Sequence, residues 1–221
     1  MMELKEILMQ RVLLYRFLGG VFTYPLTLEK VEPIVKLENK DKHLTDSLTS
    51  LQNCLKGISD WESFVEEANI EYTRLFEGPG KHPVPPFASF YLDGGTVMGP
   101  STIKVRQEYL KWDLAPIHIG QIPDDHIATE LTFMSYLASE TYLALSKNNN
   151  TLYWNLLKTQ KEFSNKHLIS WVPEFCSNII SASTMNFFKN LAELTNIYLK
   201  IDYEWIKNEP SKTNKGENNY V

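Results

Sequence analysis

Residues 187–205, FFKNLAELTNIYLKIDYEW, decide the fold class. Phe187, Leu191, Leu194, Tyr198, Ile201 and Trp205 follow one another at steps of four and three, so one helix face carries all six. The same spacing recurs upstream. Leu4, Leu8, Arg11, Tyr15, Leu18 and Phe22 share a face near the start, where Gly19-Gly20 weakens the helix end and Pro25 stops it. Leu28, Val31 and Val35 mark a short helix within 27–37, and the polar ENKDK at 38–42 breaks the pattern. Leu44, Leu48, Leu51 and Leu55 mark another helix, closed by Gly57. Ser59 or Asp60 caps a helix from 60 to about 76, with Trp61, Phe64, Val65, Ala68, Tyr72 and Leu75 inward. Ile127, Leu131, Met134, Ala138 and Leu145 form a later stripe that ends at Asn148-Asn149-Asn150. Helices over 152–168 and 171–181 follow. No stretch alternates at period two. The expectation is an all-α fold, a helical bundle of about 9–11 helices.

The texture changes between 78 and 123, which holds six of the ten glycines (78, 80, 94, 95, 99, 120) and seven of the eleven prolines (79, 83, 85, 86, 100, 116, 123). One helix, from Ser101 to about Trp112, fits inside it; the rest reads as turns and extended backbone, because proline lacks a donor and fixes φ. The expected organisation is a single helical domain over 1–206. Its N-terminal part is 1–77, its hinge 78–123 and its C-terminal part 124–206. The last stretch, 207–221, has almost nothing apolar to bury and reads as a disordered tail.

The 221 residues are 43% hydrophobic, enough for one core. Twenty-two basic against 27 acidic side chains give a net charge of −5, which disfavours a grip on phosphate backbones. The N-terminal VLLYRFLGGVF is preceded by Glu3 and Glu6 and interrupted by Arg16, unlike a secretory signal. No run reaches the roughly 18 apolar residues needed to span a bilayer. Cys54 and Cys176 suit free thiols in a reducing compartment, so the expected location is cytoplasmic.

Two places hold the residues with chemical potential. In QIPDDHIATELTFM (121–134), Pro123 suits the first turn of a helix, and Asp124 and Asp125 would then sit at its positive end. His126 and Glu130 are four apart, on one face. The cluster admits three readings: helix capping with a satisfied histidine, an acidic spot for a guanidinium, or a metal site. In EYTRLFEGPGKHPVPPFASFY (71–91), Tyr72, Leu75 and Phe76 continue a helix face into Gly78-Pro79-Gly80. Their default reading is core. Pro83, Pro85-Pro86, Phe87, Phe90 and Tyr91 suggest instead a preformed apolar wall, which beside an acidic rim suits a peptide with a basic end. The chain has no GxSxG, P-loop, HExxH or GxGxxG signature.

Those two segments resemble the TorD/DmsD-type redox-enzyme maturation chaperones, related to the NarJ group. That family is marked by aromatic-x-x-Leu-Phe-x-Gly-Pro and a following Pro-Pro-aromatic. Here these stand as Tyr72-Thr-Arg-Leu75-Phe76-Glu-Gly78-Pro79 and Pro85-Pro86-Phe87. Its Glu-Pro-x-Asp-His mark appears as Ile122-Pro123-Asp124-Asp125-His126. Ser89-Phe90-Tyr91, Ser101-Thr102 before Val105-Arg106 and Tyr109, and Arg11-x-x-Leu14-Tyr15-x-x-Leu18 add to the likeness, which spans roughly residues 8–205. Ile122 stands where the motif has glutamate, and Phe87 where tryptophan is commoner.

The resemblance implies an all-helical cytoplasmic chaperone that is not an enzyme and needs no cofactor or metal. Its partner would be the twin-arginine leader and body of a molybdopterin-containing oxidoreductase catalytic subunit, held back from export until its cofactor is inserted. It implies neither nucleic-acid binding nor membrane insertion, and either a monomer or a domain-swapped homodimer. The expected leader site has Asp124 and Asp125 meeting the arginines and His126 orienting one carboxylate, with some pH sensitivity near neutrality. Tyr72, Leu75, Phe76, Pro86, Phe87 and Tyr91, with Gly78 and Pro79, would form the apolar groove. The alternative is a small helical metal-dependent hydrolase using Asp124, Asp125, His126 and Glu130; a further reading is an assembly subunit with a permanent interface at 87–91.

Overall fold

The structure, a computed structural model, describes residues 2–38, 41–77, 83–115 and 122–213. Among them run ten α-helices: α1 (Met2–Val21), α2 (Leu28–Val31), α3 (Lys42–Leu55), α4 (Trp61–Tyr72), α5 (Ala88–Leu92), α6 (Pro100–Leu110), α7 (Ile127–Ser146), α8 (Asn150–Phe163), α9 (Val172–Ala182) and α10 (Asn186–Thr213). The expected all-α class is borne out. Among the described residues no strand forms, and extended pairing is limited to one isolated antiparallel bridge, Phe87 with His126.

Helices from both sides of the Pro/Gly-rich segment share one core. α1 lies along α7, while α10 packs on α3, α8 and α9. Phe22, just past α1, meets Phe76 at 6.3 Å and Phe175 of α9 at 5.6 Å between ring centroids, and Phe76 meets Phe188 of α10 at 6.1 Å. Tilted and edge-on pairs of this kind add to the burial of their large apolar surfaces.

Several boundaries differ from the sequence reading for local reasons. Segment 27–37 divides into the single turn α2 and a 3-10 turn, Glu32–Lys36, because Pro33 has no N–H to continue an α-ladder. π-turns at Thr73–Glu77 and Ser164–Leu168 carry α4 and α8 to their expected ends. α5 was not expected; it fits between the extended Phe87 and Gly94-Gly95, both of which have positive φ. Pro100, not Ser101, opens α6, and the Asp93 carboxylate caps it by accepting from Ser101 N at 2.8 Å and Ser101 Oγ at 2.9 Å. The expected tail from 207 is helical as far as Thr213, with Lys207 paired to Glu204, the Asn208 amide donating to the Glu204 carbonyl, and Glu209 buried. Residues 214–221 lie outside the described residues.

Candidate functional site

Residues 123–126 form a turn, not the first turn of a helix. The His126 N–H donates to the Pro123 carbonyl at 3.1 Å, and α7 begins at Ile127. His126 is the N-cap: its backbone is extended and its Nδ1 accepts from the Ala128 N–H at 3.1 Å. That acceptor role requires a neutral ring. Burial pulls the His126 pKa down to about 4, so the imidazole stays neutral through the physiological range. The expected carboxylate-orienting role and the expected sensitivity near neutrality therefore give way to a capping role. Phe87 packs edge-on to the ring at 5.3 Å.

The two aspartates are buried, Asp124 at 1% and Asp125 at 0% exposure, and each already has internal donors. Asp125 accepts from the Ser89 N–H at 2.6 Å and from the Thr102 hydroxyl at 2.8 Å. Its carbonyl accepts from Ala88 N, and Ile127 N donates to the Pro86 carbonyl. One side chain thus ties α5, α6 and the start of α7 together. Asp124 Oδ2 is paired with Arg106 Nε of α6, and its carbonyl accepts from the Tyr109 hydroxyl at 3.0 Å. The guanidinium expected from a ligand is supplied by the chain itself. Arg106 was quoted in the sequence only as part of a motif; nothing local tells that it reaches a carboxylate 18 residues away.

Glu130 is fully buried and accepts from the Trp171 indole N–H at 3.2 Å. Burial, and then the charge of Asp125, push its pKa well above the usual carboxylate range. Asp124, Asp125, His126 and Glu130 each hold a different partner. Among the described residues no group of three or more His, Cys, Asp or Glu side chains could hold a metal ion, so the geometry does not favour the hydrolase reading.

The other segment is mostly core. Tyr72, Leu75 and Phe76 are at most 2% exposed. Tyr72 donates its hydroxyl to the Phe22 carbonyl at 2.7 Å and meets Phe76 at 4.8 Å. These three pack as the default reading of an aromatic stripe has it, instead of lining an open groove. Pro86 is buried, Phe87 is half-buried, and Tyr91 stacks on Trp171 at 5.2 Å. Gly78 and Pro79 lie outside the described residues. Flanking Tyr72 in the sequence, Glu71 and Arg74, to which the sequence reading assigns no role, form an ion pair at 2.6 Å. Glu71 also accepts from the Ser183 hydroxyl at 2.8 Å and from Thr184 N at 2.7 Å, which fixes the turn between α9 and α10.

An opening does exist nearby. A cavity of about 800 Å³ lies where the end of α1 meets α6 and the first turns of α7. Tyr24, Tyr109, Leu114, Ile122, Phe133 and Tyr136 supply most of its wall, with His126 and Glu77 among the polar groups. Of the expected site residues that the structure describes, His126 alone lines it. Glu140 and Asp113 lie close enough to Tyr136 to raise its pKa, after burial, by their charge. The cavity is thus mostly aromatic and apolar, with the Glu77 carboxylate in its lining, and lies in the size range of ligand sites.

Comparison with known proteins bears on what such a fold does. The family model described as nitrate reductase delta subunit matches residues 37–177. The chain belongs to that family. The delta-subunit family member described here is 27% identical over 218 residues to "Chaperone protein TorD" of Aliivibrio fischeri, covering 95% of this chain and 100% of that one. It is 26% identical over 206 residues to "Probable Tat proofreading chaperone DmsD" of Haemophilus influenzae, covering 85% and 87%. The crystal structure of a candidate redox enzyme maturation protein from Archaeoglobus fulgidus superposes with a TM-score of 0.55 at 21% identity, over 86% of this chain and 93% of that one, a likeness of fold. The curated relatives are chaperones, not catalysts, and a redox-enzyme maturation chaperone is the class into which this delta-subunit family member falls. Among the described residues no helix is long and apolar enough to cross a membrane.

Proposed function

We propose that this chaperone works in the cytoplasm and binds the twin-arginine leader and the apo form of a molybdopterin-containing oxidoreductase subunit. It holds the subunit back from export until the cofactor is in place. The observation that carries the reading is the 800 Å³ cavity beside α7, mostly apolar within, with Glu77 in its lining and the charges of Asp113 and Glu140 felt at Tyr136. A leader pairs two arginines with an apolar segment. The apolar segment fits against Ile122, Phe133 and Tyr136, and the arginines meet these carboxylates. This moves the arginine contact away from Asp124 and Asp125, whose oxygens face into the protein.

Burying one leucine-sized side chain contributes about 1.5–3 kcal/mol, so a few such contacts reach micromolar affinity, about −8 kcal/mol, after association costs. The carboxylates set specificity and on-rate. The test is calorimetric titration of a synthetic leader peptide into wild type and into Ile122→Lys and Tyr136→Ala proteins. The expected result is at least a tenfold loss of affinity in both, with unchanged unfolding midpoints. Undiminished binding in both folded variants overturns the site.

A further inference from the structure

The opposite end of α1 holds a second, smaller cavity of about 330 Å³, between α1, the start of α3 and α10. Ile7, Leu14, Leu44, Ile201 and Trp205 give it apolar walls. Arg11 and Asp202 also line it. Arg11 is 4% exposed. Its Nε pairs with Asp202 Oδ1, and its Nη2 donates to Gln160 Oε1 at 2.6 Å and Asp202 Oδ2 at 3.1 Å. Asp202 further accepts from the Tyr15 hydroxyl at 2.6 Å. The guanidinium carbon lies 4.7 Å from the Trp205 ring centroid. Nη1 is left over: it is buried and has no acceptor among the described residues.

Two unmet N–H groups at a buried guanidinium are expensive to leave unpaired, and a cavity lined by that same residue is where an acceptor fits. The charge balance selects its type. Asp202 already neutralises Arg11, and Glu3, Glu6 and Asp41 edge the cavity. An anion brought there finds the guanidinium already compensated by Asp202 and meets Glu3 at the edge. A neutral carbonyl oxygen is not repelled, and a cation attached to it is favoured by the same edge.

We infer that this cavity is a second peptide site, which takes an apolar residue followed by a basic one. The backbone carbonyl accepts from Arg11 Nη1, the apolar side chain packs between Leu14, Leu44 and Trp205, and the basic group meets the edge at Glu3. The volume is at the low end for ligand sites and fits a dipeptide. From Glu3 to Thr23, at the first cavity, α1 runs for about 30 Å, so the two sites are occupied independently or by a long chain.

The test follows amide and indole resonances of the isotope-labelled full chain during titration with N-acetyl-Leu-Lys-amide. N-acetyl-Leu-Glu-amide and acetate serve as controls. Saturable shifts are expected at Ile7, Leu14 and Trp205 with the lysine peptide, and at least fivefold weaker binding with the glutamate peptide or acetate. Glu3→Lys, on the exposed surface, is expected to weaken the lysine peptide at least fivefold. Arg11→Lys keeps the partner charge for Asp202 but removes Nη1, and a folded Arg11→Lys protein is expected to lose the shifts. Absence of saturable shifts in wild type, equal binding of the two peptides, or unaltered binding in Glu3→Lys overturns the inference even where Arg11→Lys fails to fold. The leader titration at Ile122 and Tyr136 reports on the other cavity, so the two results stand apart.

Discussion

Gly19 of α1 lies so close to Thr132 of α7 that a Cβ built on it stands 2.8 Å from the threonine Oγ1, 3.3 Å from the threonine N and 3.4 Å from the Ala128 carbonyl. The glycine that weakens the helix in the sequence is a point of close approach between two long helices. Thr132 and Ala128 also line the larger cavity. Gly19→Ala is expected to destabilise the protein by about 1–3 kcal/mol by urea unfolding, an overpacking cost that outweighs its gain in helix propensity. Thr132→Ala in the same chain is expected to recover part of the loss, since it removes the closest atom and leaves the backbone contacts.

Glu71 is the anchor of the α9–α10 turn. Arg74 and the hydrogen bonds from Thr184 N and Ser183, set against burial, hold its pKa near 2. Glu71→Ala leaves three donors without their acceptor, and a loss of about 2–4 kcal/mol is expected in urea unfolding. The acid limb follows from the sign of the shift. The folded pKa is below the unfolded 4.5, so the contribution is present above about pH 4.5 and is lost as pH falls towards 2. Unfolding midpoints of wild type and Glu71→Ala are expected to converge over that window.

Two histidines set a second, higher window. Burial holds His126 and His167 near pKa 4, against 6.5 for a free side chain. The unfolded chain takes up protons below 6.5 that the folded chain refuses down to about 4, so stability falls as pH drops between those values. The upper limit is about 3 kcal/mol for each group. His126→Asn preserves a capping acceptor without a titrating ring. Its urea midpoint is expected to vary less between pH 7 and pH 5 than that of wild type.

Asp125 separates a structural from a binding role. Its carboxylate satisfies Ser89 N and the Thr102 hydroxyl in a site closed to solvent. Asp125→Ala is expected to lower the thermal midpoint through a loss of about 2–4 kcal/mol, with leader affinity falling in parallel with the folded fraction. A variant that keeps the midpoint and loses only affinity returns Asp125 to direct leader contact.

The helices were legible because burial here is periodic. Leu191, Leu194 and Tyr198 at steps of three and four need no partner to be recognised as a face. The short α5 was not, since its helical turn depends on Asp125 accepting from Ser89 N and on two glycines at its end. The site was half legible. The DDH cluster marks a real convergence of chain segments, yet residue types do not tell an acid waiting for a ligand from one already held. Arg106, Ser89 and Thr102 decide that, and they lie 18 to 36 residues away. Phe76 was ambiguous for the same reason: its neighbours Phe22, Phe175 and Phe188 come from the turn after α1, from α9 and from α10.

The Arg11–Asp202 pair has a consequence for how this chaperone is made. Its two halves are separated by 191 residues. At the usual pace of translation the guanidinium waits roughly 10–40 s for its carboxylate. α1 likewise waits for α7 before its glycine can be covered. The nascent chain therefore carries a cation and an apolar stripe that nothing yet shields, and the cation stays without its carboxylate until Asp202 has left the ribosome. A fragment that stops before α7 lacks both partners of α1, and it would be a client for general folding factors.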